Sequence, residues 1–139
     1  MRRLVSLLLL AVPLAPARAQ ERPGLAEAAE HARTAWFAHD AARLVAESPR
    51  LLVQLPGADP SAALGPAQAA ALLGDFFASA QEVEIVVRAA REVEPGRGYV
   101  ELQRRYRVTG TQEVRVQSLL LGYRLGRSGW SLVELRVVG

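Results

Sequence analysis

The chain contains no cysteine. That excludes disulfides and a lipid-modified N-terminal cysteine, so stability has to come from burial alone. Lysine is also missing, and all 17 basic residues are arginine. Together with the richness in alanine, this points to a coding bias more than to a function. A long hydrophobic run is lacking too. The apolar stretch Leu4 to Leu14 is too short to span a bilayer comfortably. It follows the basic Met1-Arg2-Arg3 and precedes the small-residue site Ala17-Arg18-Ala19, which is the pattern of a signal peptide over 1–19 with cleavage before Gln20. The protein is therefore expected to be exported, periplasmic or secreted, with no membrane attachment after cleavage.

An excess of one charge is absent as well. Arg2, Arg3 and Arg18 lie in the leader and none of the 14 acidic residues does, so the remaining chain is charge-balanced. The high isoelectric point of the whole sequence belongs to the precursor, and a general pull toward nucleic acid or anionic membrane is not expected.

What is present divides into a helical half and a strand half. After a loose stretch over 20–24, Leu25, Ala28, Ala29, Ala32 and Trp36 recur at helical spacing. Asp40 is placed to cap a short second helix over Ala41–Glu47, which Ser48-Pro49 stops. Arg50–Leu55 reads as a short strand and Pro56–Gly65 as a loop. Pro66 opens a further amphipathic helix to Ser79, carrying Leu72, Leu73, Phe76 and Phe77. Glu82 to Val138 then reads as four long antiparallel strands. Pro95-Gly96-Arg97-Gly98, Thr109-Gly110-Thr111-Gln112 and Gly126-Arg127-Ser128-Gly129 separate them as glycine-bearing turns. The fold class is α+β: a single domain over 25–139 in which helices cover one face of a mostly antiparallel sheet.

This element order resembles the nuclear transport factor 2-like superfamily, which includes ketosteroid-isomerase-like and SnoaL-like proteins. The sharpest local likeness is Trp36-Phe37-Ala38-His39-Asp40-Ala41-Ala42-Arg43-Leu44, with His39 where the family most often has glycine. Leu55-Pro56-Gly57 and Phe76-Phe77 also fit. The resemblance implies a strongly curved, cystatin-like cone whose concave face often holds a small-molecule pocket. It also implies pairing of two copies through the sheet, and Val86, Leu132 and Trp130 are the outward residues expected to seed such a homodimer. Fold likeness alone does not select a function.

Alternation along the strands indicates what faces the cone. Val83, Ile85, Val87 and Ala89 are expected inward, as are Val100, Leu102, Arg104, Tyr106 and Val108. In the third long strand Val114 and Val116 share a parity that Leu119, Leu121, Tyr123 and Leu125 do not. A β-bulge near Ser118 would reconcile them. Val133, Leu135 and Val137 are expected inward in the last strand. On this register no strand carries an inward carboxylate, which removes the base that an isomerase-type mechanism needs.

Arg104 is then the anomaly, because a guanidinium among apolar neighbours requires a carboxylate partner or an anionic ligand. The candidate ligand-binding set is Trp36, Asp40, Phe77, Arg104, Tyr106 and Ser118. No catalytic set, metal site or cofactor is expected. His31 and His39 are eight residues apart, roughly 12 Å along a helix, too far for one ion. Arg104-Arg105-Tyr106-Arg107 is split between two faces by alternation and does not make a nucleic-acid patch. Three functions compete: an exported non-catalytic domain that binds a small apolar or acidic ligand or a protein partner, a SnoaL-like or isomerase-like enzyme acting on an apolar small molecule, and a structural module with a filled cone.

Overall fold

The computed structural model describes residues 24–139; the expected leader over 1–19 and all but Gly24 of the 20–24 stretch lie outside them. The elements run α1 (Leu25–Phe37), α2 (Ala41–Leu44), β1 (Leu52–Gln54), α3 (Pro66–Phe77), β2 (Ala80–Glu94), β3 (Arg97–Val108), β4 (Val114–Gly126) and β5 (Gly129–Val138). The five strands form one sheet in the order β1-β5-β4-β3-β2, antiparallel except where β1 runs parallel to β5. The class is α+β, with the helices on one face of a curved open sheet. The second helix and the first strand are shorter than their apolar patterns suggested.

The α1–α2 corner decides where the site forms. The apolar stripe Ala29, Ala32, Ala35 and Trp36 buries α1 against the sheet. The helix ends because His39 adopts a left-handed conformation (φ 53°), with its N–H on the Trp36 carbonyl and the Asp40 N–H on the Ala35 carbonyl, each at 2.9 Å. These two bonds close a Schellman turn, whose left-handed position is ordinarily glycine. Asp40 then caps α2 as its position suggested, its Oδ1 accepting from the Arg43 N–H at 3.0 Å.

The strand faces differ from the expected ones in three strands. In β2 the pairing skips Val83, Arg88 and Val93, since Glu82 faces Tyr106 while Glu84 faces Arg105, and the later shifts follow the same form. Each skipped residue is a bulge that bends the edge strand. Beyond the bulges the parity reverses, so Val83 is exposed, Ala89 falls opposite Glu101, and Glu82 turns inward. In β4 no bulge occurs at Ser118: the pairing with β3 is unbroken from Val114 to Arg124. Gln117 is therefore the buried residue of that segment, Val114 and Val116 are exposed, and Ser118 lies on the outer face opposite Gln103 and Val138. Leu125 is exposed near the strand end. In β5 the irregularity falls at Val133, so Leu132 takes the inner position expected of Val133. Leu135 and Val137 are buried as expected.

The core joins Trp36, Leu44, Val45, Leu73 and Phe77 from the helical half to Ile85, Val100, Leu102, Leu119, Leu121 and Leu135 from the sheet. Gly98 lets Leu25 and Trp130 settle onto the β3 backbone. A Cβ at that position would stand 2.7 Å from Leu25 Cδ1 and 3.2 Å from Trp130 Cζ3.

Candidate functional site

Two polar features occupy the space between helices and sheet, at opposite ends of β4. The first is built on Glu82 and Arg104, whose side chains are each only 1% exposed. Arg104 Nε donates to Glu82 Oε2 at 3.1 Å and its Nη2 donates to Oε1. The Trp36 indole N–H donates to the same Oε1 at 3.1 Å, and His39 Nε2 lies 3.1 Å from it. A carboxylate can only accept, so His39 presents Nε2–H there. Arg104 Nη1 donates to Gln117 Oε1 at 3.2 Å, and the Gln117 amide donates to the Gly139 carbonyl at 3.3 Å. Aromatic rings enclose the guanidinium, Tyr106 at 4.0 Å, Trp36 at 5.3 Å and Phe76 at 5.7 Å from Cζ to ring centroid. Phe77 stacks on the His39 imidazole with centroids 4.7 Å apart.

Four members of the candidate set, Trp36, Phe77, Arg104 and Tyr106, thus meet around one carboxylate. Asp40 is spent on the cap of α2, and Ser118 lies on the other face of the sheet. The expectation that no strand carries an inward carboxylate fails at Glu82. The bulge at Val83 turns that residue to the inner face, and two-residue periodicity across Glu82-Val83-Glu84 cannot register it. The burial of Arg104 stands, and Glu82 supplies the carboxylate that it needs. Chemically the cluster is closed: Glu82 receives donors from Trp36, His39 and Arg104, so neither a free base nor an uncompensated cation is left for a ligand.

The second feature is an open cavity of about 360 Å³ between α1, α2 with the turn after it, and the β4–β5 end of the sheet. Gln117 of the ion cluster and Tyr123 of this cavity are six residues apart on β4, about 20 Å, and Leu119 and Leu121 fill the interval. Ala28, Leu44, Tyr123, Trp130 and Leu132 give the cavity an apolar lining. At its rim stand the exposed Glu27, His31, Arg43 and Glu47. His31 Nε2 is 3.2 Å from the Arg43 carbonyl, to which it can only donate. The Tyr123 hydroxyl donates to the Ala28 carbonyl at 3.5 Å, and burial pushes its pKa above the ordinary tyrosine range. Ser48 also lines the cavity, and the residue is only 2% exposed. Sequence reasoning missed this cavity. The aromatic Trp130 next to the turn and the Ser48-Pro49 stop were its only local signals.

No family model matches the chain, and no curated protein matches it in sequence. Solved structures do. A ketosteroid isomerase-like protein from Erwinia carotovora atroseptica superposes with a TM-score of 0.66 at 16% identity, covering 86% of this chain and 95% of that one. A candidate dehydratase from the NTF2-like family of Streptomyces avermitilis gives 0.64 at 12% identity over 84% and 93%. A domain of unknown function with a cystatin-like fold from Nostoc punctiforme gives 0.64 at 18% over 80% and 72%. At these identities the likeness is one of fold. The chain has the nuclear transport factor 2-like, cystatin-like fold that its element order resembled.

Proposed function

We propose that the protein is an exported binding module for a small amphipathic molecule, held in the cavity between α1, α2 and the β4–β5 end of the sheet. The observation that carries this reading is the cavity itself, about 360 Å³ with an apolar lining and a polar rim. That volume lies at the lower end of small-molecule sites. An acidic ligand placed on Arg104 is disfavoured, because Glu82 already neutralises that cation. Titration with small phenyl compounds, followed by NMR chemical shifts of the Trp130 and Tyr123 side chains, tests the reading. Saturable shifts confined to the cavity support it, and none at millimolar concentration would sink it. Export has its own test: N-terminal sequencing of protein recovered outside the cytoplasm should begin at Gln20.

A weak homodimer through the outer sheet face belongs to the same reading. Its apolar residues are Val114, Val116 and Val138 with the half-buried Val86, since Leu132 is buried and Trp130 lines the cavity. Sedimentation as a strict monomer at high concentration would remove it. One observation favours the isomerase-like alternative: His31, Glu27 and Glu47 stand together at the cavity rim. Their carboxylates are in water, while the carboxylate inside the cone is fully engaged, and binding without turnover is the better-supported outcome.

A further inference from the structure

The chemistry around the cavity narrows the ligand. Glu27 and Glu47 both border it, and neither forms an ion pair among the described residues. Glu27 sits in the first turn of α1, where the exposed amides favour a negative charge. Trp130 and Tyr123 line the same cavity, and aromatic rings attract a cation, tryptophan most strongly. His31 has its Nε2–H engaged with the Arg43 carbonyl, so the other nitrogen of the neutral ring is an acceptor. Ser48 also lines the cavity wall, and its hydroxyl can accept as well as donate. Among the described residues Arg43 is the one opposing charge at the rim.

Resting on the binding reading above, we infer that the cavity takes a small organic cation, an alkyl- or arylalkyl-ammonium. Its ammonium group sits between the Glu27 and Glu47 carboxylates, and its apolar part lies on Trp130, Leu44 and Leu132. An ammonium brings three donors and no acceptor, which matches a rim rich in acceptors. A carboxylate ligand would instead meet two like charges, with Arg43 as its single opposite charge among the described residues. The aromatic wall adds attraction for a cation that it does not offer an anion. The charge balance of the whole chain does not oppose this, because selection here is local.

The test compares three probes of nearly equal size on the purified protein at pH 7 and low salt: phenethylammonium, 2-phenylethanol and 3-phenylpropanoate. Phenethylammonium is expected to bind about tenfold more tightly than the alcohol, and more tightly still than the acid. The Glu27→Gln, Glu47→Gln double variant should weaken the ammonium about tenfold and leave the alcohol unchanged. Arg43→Gln should move the ammonium in the opposite direction, tightening it about threefold. All three substitutions fall at exposed positions, so the variants keep the fold. Equal binding of ammonium and alcohol, preference for the acid, or no effect of the double variant overturns the cation assignment while leaving the cavity as a binding site. Absence of saturable binding by all three probes overturns the binding reading, and the cation assignment with it.

Discussion

Glu82 and Arg104 form an ion pair across β2 and β3 with both side chains 1% exposed. They are not direct neighbours in the strand register. Glu82 faces Tyr106, Arg104 faces Ile85, and the bulge at Val83 brings the carboxylate diagonally over the guanidinium. A buried pair of this kind adds little net stability by itself, but losing one partner strands the other charge.

Replacing Glu82 with Gln is therefore expected to cost about 3–5 kcal/mol, since it leaves Arg104 charged and buried. The double variant Glu82→Gln with Arg104→Met should recover most of that loss, because the Gln carbonyl still accepts from Trp36 and His39. Urea unfolding of the two single variants and the double provides the cycle. Additive losses would show that the pair is not coupled.

His39 carries a second, opposing pair of effects. Its backbone has φ of 53°, and its imidazole meets Glu82 and stacks on Phe77. His39→Ala keeps the left-handed strain and loses the contacts, while His39→Gly loses the contacts and relieves the strain. The glycine variant should be the more stable of the two by about 1 kcal/mol. Equal melting temperatures would argue against strain at this corner.

Tyr123 sets the alkaline limb of stability. Burial raises its folded-state pKa above the ordinary value of 10.0. The folded chain thus keeps a proton that the unfolded chain releases, so its contribution is intact below about pH 10 and is lost as pH rises through the higher folded value. The chain has no lysine and no cysteine, which leaves tyrosine as the side chain that ionises in this range. Tyr123→Phe should flatten the fall in unfolding free energy above pH 10 by up to about 1.4 kcal/mol per pH unit. Parallel curves for variant and parent from pH 9 to 12 would contradict this.

Gly98→Ala tests the packing beside the cavity. The added methyl would stand 2.7 Å from Leu25 and 3.2 Å from Trp130, so both must shift. A loss of about 1–3 kcal/mol is expected, with a change in Trp130 fluorescence as the indole moves. A neutral substitution with unchanged emission would show that Leu25 and Trp130 yield freely.

Much of the architecture is legible in the sequence because it depends on local chemistry. The glycine turns, the Pro66 helix start, the Asp40 cap and the apolar periodicities each act over a few residues. The second helix and first strand were overextended because an apolar run does not mark where its backbone bonds stop. β1 gains only a three-residue pairing with β5, and α2 only one turn.

The sequence by itself determined a cysteine-free α+β domain with the nuclear transport factor 2-like order of elements and a buried arginine in need of a carboxylate. The family resemblance marked His39 as unusual, standing where glycine is most frequent. Only the tertiary structure decided that Glu82 answers Arg104, and that the open cavity lies at the far end of β4. The reason is that a bulge changes the face of every residue beyond it. Which strands bulge is set by how the sheet curves over the helices, and no two-residue count within one strand contains that information.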